Sequence, residues 1–293
     1  MKICHQLLDN YKLKKIMNIE NINIYLLKTN NKSNISGISI LKDLIDKKRA
    51  FVKEVDDVGK VDTVLVINNS NQDLLLLSGE ILEGAKQNRM IMENVIIKKN
   101  SSLEVKVSCV ERNRWNYRKN KHFQPADIKI TPKIRATKDE YSKNRYTENI
   151  QNKIWDDIDK ISSKAKMNYF SSDYCEFKDL YNDLDNDKAK NTIENTDFNA
   201  YLVEGVGKVF FEYFFSNKLA KSSLLKSIPS YLCDQDGNNL NDIKVLDLSM
   251  LKNSQWHESD SIGLGKSFST DADNLGKAII YKDEIAHLYF YFK

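Results

Sequence analysis

The densest cluster of side chains that could do chemistry in this 293-residue chain falls in two short runs, GEILEGAKQNR at residues 79–89 and SCVERNRW at residues 108–115. Gly79 and Gly84 permit tight backbone geometry beside a ligand or another segment. Lys86, Gln87 and Arg89 then place a point charge, an amide and a planar guanidinium close together, a set suited to a phosphate or diphosphate. The second run adds Glu111, Arg112, Arg114 and Trp115. Strict alternation through LEVKVSC puts Leu103, Val105, Val107 and Cys109 on one buried face and turns Glu104, Lys106 and Ser108 to water. One step further turns Glu111 inward, where a carboxylate needs a cation or hydrogen-bond donors, and Arg89 and Arg114 are the candidates. Two readings stay open: a ligand site, or an ion pair that pins two hairpins together. Trp115 likewise reads first as core and second as a base-stacking platform, for which Tyr117 and the arginines around it speak.

Other reactive side chains are less promising. Cys109 lies on the apolar face of its strand, so a buried, unactivated thiol is expected. Cys4, Cys109, Cys175 and Cys233 are too far apart for a CxxC knuckle or redox pair, and read as free thiols of a reducing compartment. His5, His122, His257 and His287 lack HxxxH or HxH spacing, so neither a metal site nor a cofactor is expected. His287, alternating within AHLYFYF, reads as a strand histidine with a partner; His257, beside Trp256 and Glu258, is freer to act. Residues 260–269, DSIGLGKSFS, have Asp260 where a P-loop needs its first glycine, which argues against an NTPase. Gly263, Gly265, Lys266 and Ser267 form either an anion-holding backbone nest or a plain surface loop.

The elements that must position these groups read as an α+β chain. Strands are expected at residues 21–28, 50–55, 61–67, 74–77 and 103–109, with a short helix at 41–48 and a hairpin joining 61–67 to 74–77. A polar stretch after Trp115 holds Pro125 and Pro132 and reads as a linker or functional loop. Amphipathic helices follow at residues 140–166 and around Phe177, Leu180, Tyr181 and Leu184. Next come a hairpin at 200–211, a helix at 219–232 interrupted near Pro229, and a terminal hairpin at 278–292 turning at Lys-Asp-Glu. The expected organisation is an antiparallel β-rich region, 1–118, packed with a helical plus β-hairpin region, 119–293, as one integrated body.

Forty-five Lys+Arg against 41 Asp+Glu leave a charge of +4, too small and too dispersed for a nucleic-acid partner. No window approaches the roughly 18 apolar residues of a membrane helix. The opening residues carry charged breaks unlike a signal peptide, so a cytoplasmic protein without membrane partners is expected.

The run L-SGE-LEGAKQNR, followed after a gap by VSCVERNRW, resembles the signature of a family named for its association with ADP-ribosylglycohydrolases and rhodanese-phosphatases. The resemblance continues through Ile134, Arg135, Gln151, Trp155, the glycines of EGVGKVFFEYF and GLGKSF. It implies that the chain binds or processes ADP-ribose or a related NAD-derived nucleotide. On that reading Lys86, Arg89 and Arg114 hold phosphates, Gln87 a ribose or base edge, Trp115 the base, and Glu111 orients Arg89 or a ribose hydroxyl. Gly79, Glu80, Gly84, Gly263, Gly265 and Lys266 are secondary candidates. Binding comes first, with sequestration of a cyclic ADP-ribose signal in an anti-defence setting as a concrete role, and a homo-oligomer closing the pocket is compatible with it. The alternatives are a hydrolase of ADP-ribose derivatives using Glu111 or Glu80 as general base, and a structural or partner-binding protein whose signature is an ionic clasp.

Overall fold

The computed structural model describes residues 11–29, 33–117, 121–143, 150–164, 172–181, 186–206, 209–234, 248–271 and 275–292. Two antiparallel strands open it, β1 (Tyr11–Ile19) and β2 (Ile22–Thr29). The chain forms two units, of which residues 36–180 with 261–265 make the first. Its strands are β3 (Ile38–Ile40), β4 (Ala50–Glu54), β5 (Thr63–Asn68), β6 (Asp73–Leu76), β7 (Glu80–Gly84), β8 (Arg89–Ile91), β9 (Val95–Ile97), β10 (Ser101–Cys109) and β11 (His122–Lys129). Helices α1 (Leu41–Asp46), α2 (Pro132–Lys143) and α3 (Ile150–Lys164) accompany them, and a 3₁₀ helix follows at Tyr174–Tyr181.

Six strands close a barrel in the order β10, β5, β4, β11, β7, β8, every pairing antiparallel. Closure leaves no open edge, and alternation decides what fills the inside. In β4 the buried residues are Ala50, Val52 and Glu54; in β5 they are Val64, Val66 and Asn68. Leu82, Ile91, Val105, Val107 and Phe123 join them, with Leu41 and Leu44 of α1, in one apolar core. The same alternation that buries Ala50 and Val52 carries Glu54 inward, and the one that buries Ile91 carries Arg89.

Two expectations change here. The strands at 61–67 and 74–77 do not form a hairpin: β5 is flanked by β4 and β10, while β6 pairs with β3 and β9 in a separate sheet. Asn68 diverts the chain between them, its amide donating to the carbonyls of Gln72 at 2.9 Å and Lys98 at 3.2 Å. The stretch holding Pro125 and Pro132 is not a linker. Pro125 sits in β11 opposite Leu82, with the register slipping before Lys129, where a residue lacking N–H breaks the ladder. Pro132 opens α2, where a missing N–H costs nothing.

The second unit comprises residues 1–35, 181–260 and 266–293. Its strands are β1, β2, β12 (Ala200–Glu204), β13 (Val209–Phe214), β14 (Trp256–Ser259), β15 (Lys266–Thr270), β16 (Leu275–Tyr281) and β17 (Glu284–Phe292), joined in one sheet in the order β1, β2, β12, β13, β17, β16, β15, β14. Helices α4 (Asn186–Asn195), α5 (Asn217–Cys233) and α6 (Ser249–Asn253) belong to it. Leu27, Ala200, Tyr213, Leu288 and Ala278 line up across five strands and lie in one core with Leu248 and Leu251. The terminal hairpin turns on Lys282 and Asp283, both at positive φ as a type I′ turn demands. Helix α5 runs unbroken through Pro229, because Leu224 and Ile228 before it and Tyr231 and Leu232 after it are all buried, and that burial outweighs a proline cost of about 3 kcal/mol. Cys4, His5, Ala165, Leu184, Gly207 and Lys208 lie outside the described residues. Among those described, no helix is long and apolar enough to cross a membrane.

Candidate functional site

The first signature run is the β7–β8 hairpin, and its side chains work at one end of the barrel interior. Arg89 is 0% exposed. Its Nη2 donates to both carboxylate oxygens of Glu54 at 3.2 Å, and its Nη1 to the carbonyls of Lys60 at 2.7 Å and Val61 at 3.0 Å. Lys86 extends the same grip, its ammonium donating to the carbonyls of Asp57 and of Val58, the latter at 2.7 Å. Four carbonyls of the β4–β5 connection are thus held by two signature cations. A buried guanidinium needs this much compensation, since desolvation costs several kcal/mol per ion.

A second network pins the hairpin turn. Glu111 is buried as expected, although the alternation ends before it, since Ser108, Cys109 and Val110 are all buried too, and it takes a two-pronged bond from Arg114, Nε to Oε1 at 2.5 Å and Nη2 to Oε2 at 2.6 Å. Arg114 also donates to the carbonyls of Ala85 at 2.7 Å and Asn116 at 2.8 Å. Glu111 accepts the Asn88 N–H at 3.0 Å, and Gln87 donates to the Glu111 carbonyl. Asn88 donates to Asp173 at 2.9 Å and accepts the Gly84 N–H at 2.8 Å. Gly84 has φ +119°, and a Cβ there would stand 3.0 Å from the His122 carbonyl oxygen, so both conformation and space call for glycine.

The second signature run docks α3. Gln151 behaves as an extra strand beside β10: its Oε1 accepts the Cys109 N–H and the Ser108 hydroxyl, and its Nε2 donates to the Cys109 carbonyl, all at 2.8 Å. Arg112 pairs with Asp159 at 2.9 Å and lies 5.0 Å from the Trp155 ring centre. Cys109 is buried, and desolvation pushes its thiol up to about 11, partly opposed by Arg89 and reinforced by Glu54 and Glu111.

What the barrel end shows to solvent is different. Trp115 and Tyr117 are each 37% exposed, and Val58 is 77% exposed beside them on the held connection. Trp115 has Arg89 at 5.2 Å and Lys86 at 5.8 Å from its ring centre; Tyr117 has Lys86 at 5.4 Å and Lys121 at 5.8 Å. The Tyr117 phenol is raised by desolvation and by the carboxylates of Glu54, Asp57 and Asp56. The rim therefore offers aromatic surface, while Arg89, Lys86 and Arg114 have carbonyls and carboxylates of the chain as partners.

The secondary candidates scatter. Gly79, at φ +86°, packs where a Cβ would meet Ile130 and Arg135, and Glu80 accepts the Leu77 N–H at 3.1 Å. Gly263 lies against β9, where Leu264 N–H donates to the Ile96 carbonyl at 2.7 Å. Gly265 has φ +84°, and Lys266, the first residue of β15, stands 3.6 Å from Glu258. In the second unit His287 is buried 2.9 Å from Glu212, which also takes the Tyr201 hydroxyl; His257 pairs with Asp271 at 3.0 Å. Among the described residues no three His, Cys, Asp or Glu side chains are grouped to hold a metal. Glu54, Asn88 and Asp173 were not foreseen as members of the site. Glu54 had a sequence signal in the inward alternation Ala50, Val52, Glu54, and Asn88 in its place within residues 79–89; Asp173 had none.

The model of the ARG and Rhodanese-Phosphatase-superfamily-associated Protein domain, ARPP-1, matches residues 10–291. The chain belongs to the ARPP-1 family. That assignment spans both units, and ARG stands for ADP-ribosylglycohydrolase, which sets the family in an ADP-ribose context. Compared with curated proteins and with solved structures, the chain has no significant match. The ARPP-1 resemblance residues outside the two runs acquire a physical reason: Gln151 and Trp155 bind the second run, and Arg135 packs against Gly79.

Proposed function

We propose that this ARPP-1 chain binds a small NAD-derived nucleotide of the ADP-ribose class at the barrel end, with the base against Trp115 and Tyr117. The observation that carries the reading is the pair of half-exposed rings set among three cations, a combination suited to a flat base with phosphates attached. Lys60 and Lys121, both exposed, would meet the phosphates; Lys86, Arg89 and Arg114 build the frame beneath, since each already holds oxygens of the chain. Binding is favoured over hydrolysis because Glu111 is spent on Arg114 and Asn88, and Glu80 on a backbone N–H, leaving neither placed as a base. Sequestration of a cyclic ADP-ribose signal is the role this reading allows.

The test is to incubate purified protein with ADP-ribose, NAD or cyclic ADP-ribose, with and without divalent metal, remove free ligand, denature, and identify what is released. Intact ligand in stoichiometric amount, lost in Trp115→Ala, supports the reading; conversion of any of them, abolished by Glu111→Gln, replaces it with the hydrolase. A second reading, in which the signature is an ionic clasp and the rim meets a protein partner, is favoured by the internal partners of Arg89, Lys86 and Arg114. It predicts no ligand retained at all.

A further inference from the structure

We infer that the rim selects a neutral purine and rejects a cationic ring, so that the adenine end of an NAD-derived nucleotide, not its nicotinamide end, stacks on Trp115 and Tyr117. This rests on the nucleotide reading above and names which part of the ligand the rim recognises. An aromatic ring attracts a cation through the negative face of its quadrupole. Here that attraction is already used by the chain's own groups: Arg89 and Lys86 lie 5.2 and 5.8 Å from the Trp115 centre, Lys86 and Lys121 lie 5.4 and 5.8 Å from that of Tyr117. Lys86 and Arg89 are fixed in place by the Asp57, Val58, Lys60 and Val61 carbonyls, so they cannot step aside for a ligand cation.

The net charge around the rings does not decide the matter. Glu54, Asp56 and Asp57 balance Lys86, Arg89 and Lys121, and two of the three carboxylates are engaged, Glu54 by Arg89 and Asp56 by the Gly59 N–H at 2.7 Å. What remains to a ligand base is stacking on ring faces whose electron density is drawn toward internal cations. An electron-rich, uncharged purine gains from such a face, because offset stacking pairs unlike charge distributions. A nicotinamidium ring meets an electron-depleted face and three neighbouring cations.

AMP and nicotinamide mononucleotide separate these cases, because both carry a ribose 5′-phosphate and they differ in the base. Each is titrated into wild-type protein by calorimetry, together with reduced nicotinamide mononucleotide, whose ring is neutral, and ADP-ribose. AMP is expected to bind at least tenfold tighter than the oxidised mononucleotide, with the reduced form between them. Lys121→Met removes one cation from Tyr117 at an exposed position and is expected to narrow the AMP preference about threefold without changing the melting temperature; the phosphate contribution cancels in that ratio. Equal binding of AMP and oxidised mononucleotide, or a preference unmoved in Lys121→Met while both still bind, overturns the inference and leaves the nucleotide reading standing. Absence of binding by AMP and ADP-ribose alike overturns both.

Discussion

Arg89 and Cys109 face each other across the β8–β10 pairing, and both are governed by burial. By residue type Arg89 suits either a phosphate or an ion pair with Glu111; its placement makes it a partner of Glu54 and of the β4–β5 connection. Arg89→Ala would leave a buried carboxylate without its cation and two carbonyls without donors. The expected loss is about 3–5 kcal/mol, read from urea denaturation, whereas converting Glu54 and Arg89 together to Leu and Met should cost markedly less. An Arg89→Ala protein as stable as wild type would return Arg89 to the ligand. Cys109 gives a second handle at this scale. Its thiol is buried and raised, so labelling of the native protein by a thiol reagent should be slow and become fast only on unfolding.

At the scale of elements, α3 is tied to β10 by one side chain. The Gln151 amide satisfies the backbone N–H and carbonyl of Cys109 and the hydroxyl of Ser108, bonds that a neighbouring strand would otherwise supply. Gln151→Ala leaves those buried groups unpaired, and the expected cost is about 1–3 kcal/mol. Because Arg112 and Asp159 still connect the helix, its effect should be local: faster amide exchange at Cys109 and in α3, with β4 and β5 unchanged. Uniform acceleration throughout the barrel would contradict that picture.

At the scale of the whole molecule, both units respond to alkali in the same direction. In the first, Cys109 is pushed from 9.0 to about 11, mainly by desolvation. In the second, Tyr25, bonded to Glu204 at 2.9 Å, is pushed from 10.0 to about 12 by burial and then by that carboxylate. A raised acid favours the protonated, folded form, so its stabilisation is complete below the unfolded value and lost as pH rises through the folded one. Melting temperature should be insensitive to these groups below about pH 9 and fall between 9 and 12; Cys109→Ala should flatten the first part of the decline and Tyr25→Phe the second.

Much was readable in advance because it depends on neighbours in the chain. Alternation in LEVKVSC predicts the buried Val105, Val107 and Cys109 of β10 but not Ser108, which is buried under Gln151 instead of facing water, and the Lys-Asp-Glu turn locates the terminal hairpin, since period and turn chemistry are local properties. The mixed α+β class follows from such local signals, and the family expected from the two runs is the one whose model matches residues 10–291. Pairing partners are not local. Nothing in NNSNQD distinguishes a hairpin turn from a crossing into another sheet until Asn68 meets the carbonyls of Gln72 and Lys98. Nothing in β2 announces β12, yet Leu27 pairs with Ala200. The same limit governed the site: sequence supplied the cations and the acids, but which cation met which oxygen depended on barrel closure, which set Glu54 against Arg89, left Arg114 to Glu111, and turned Trp115 and Tyr117 partly to water.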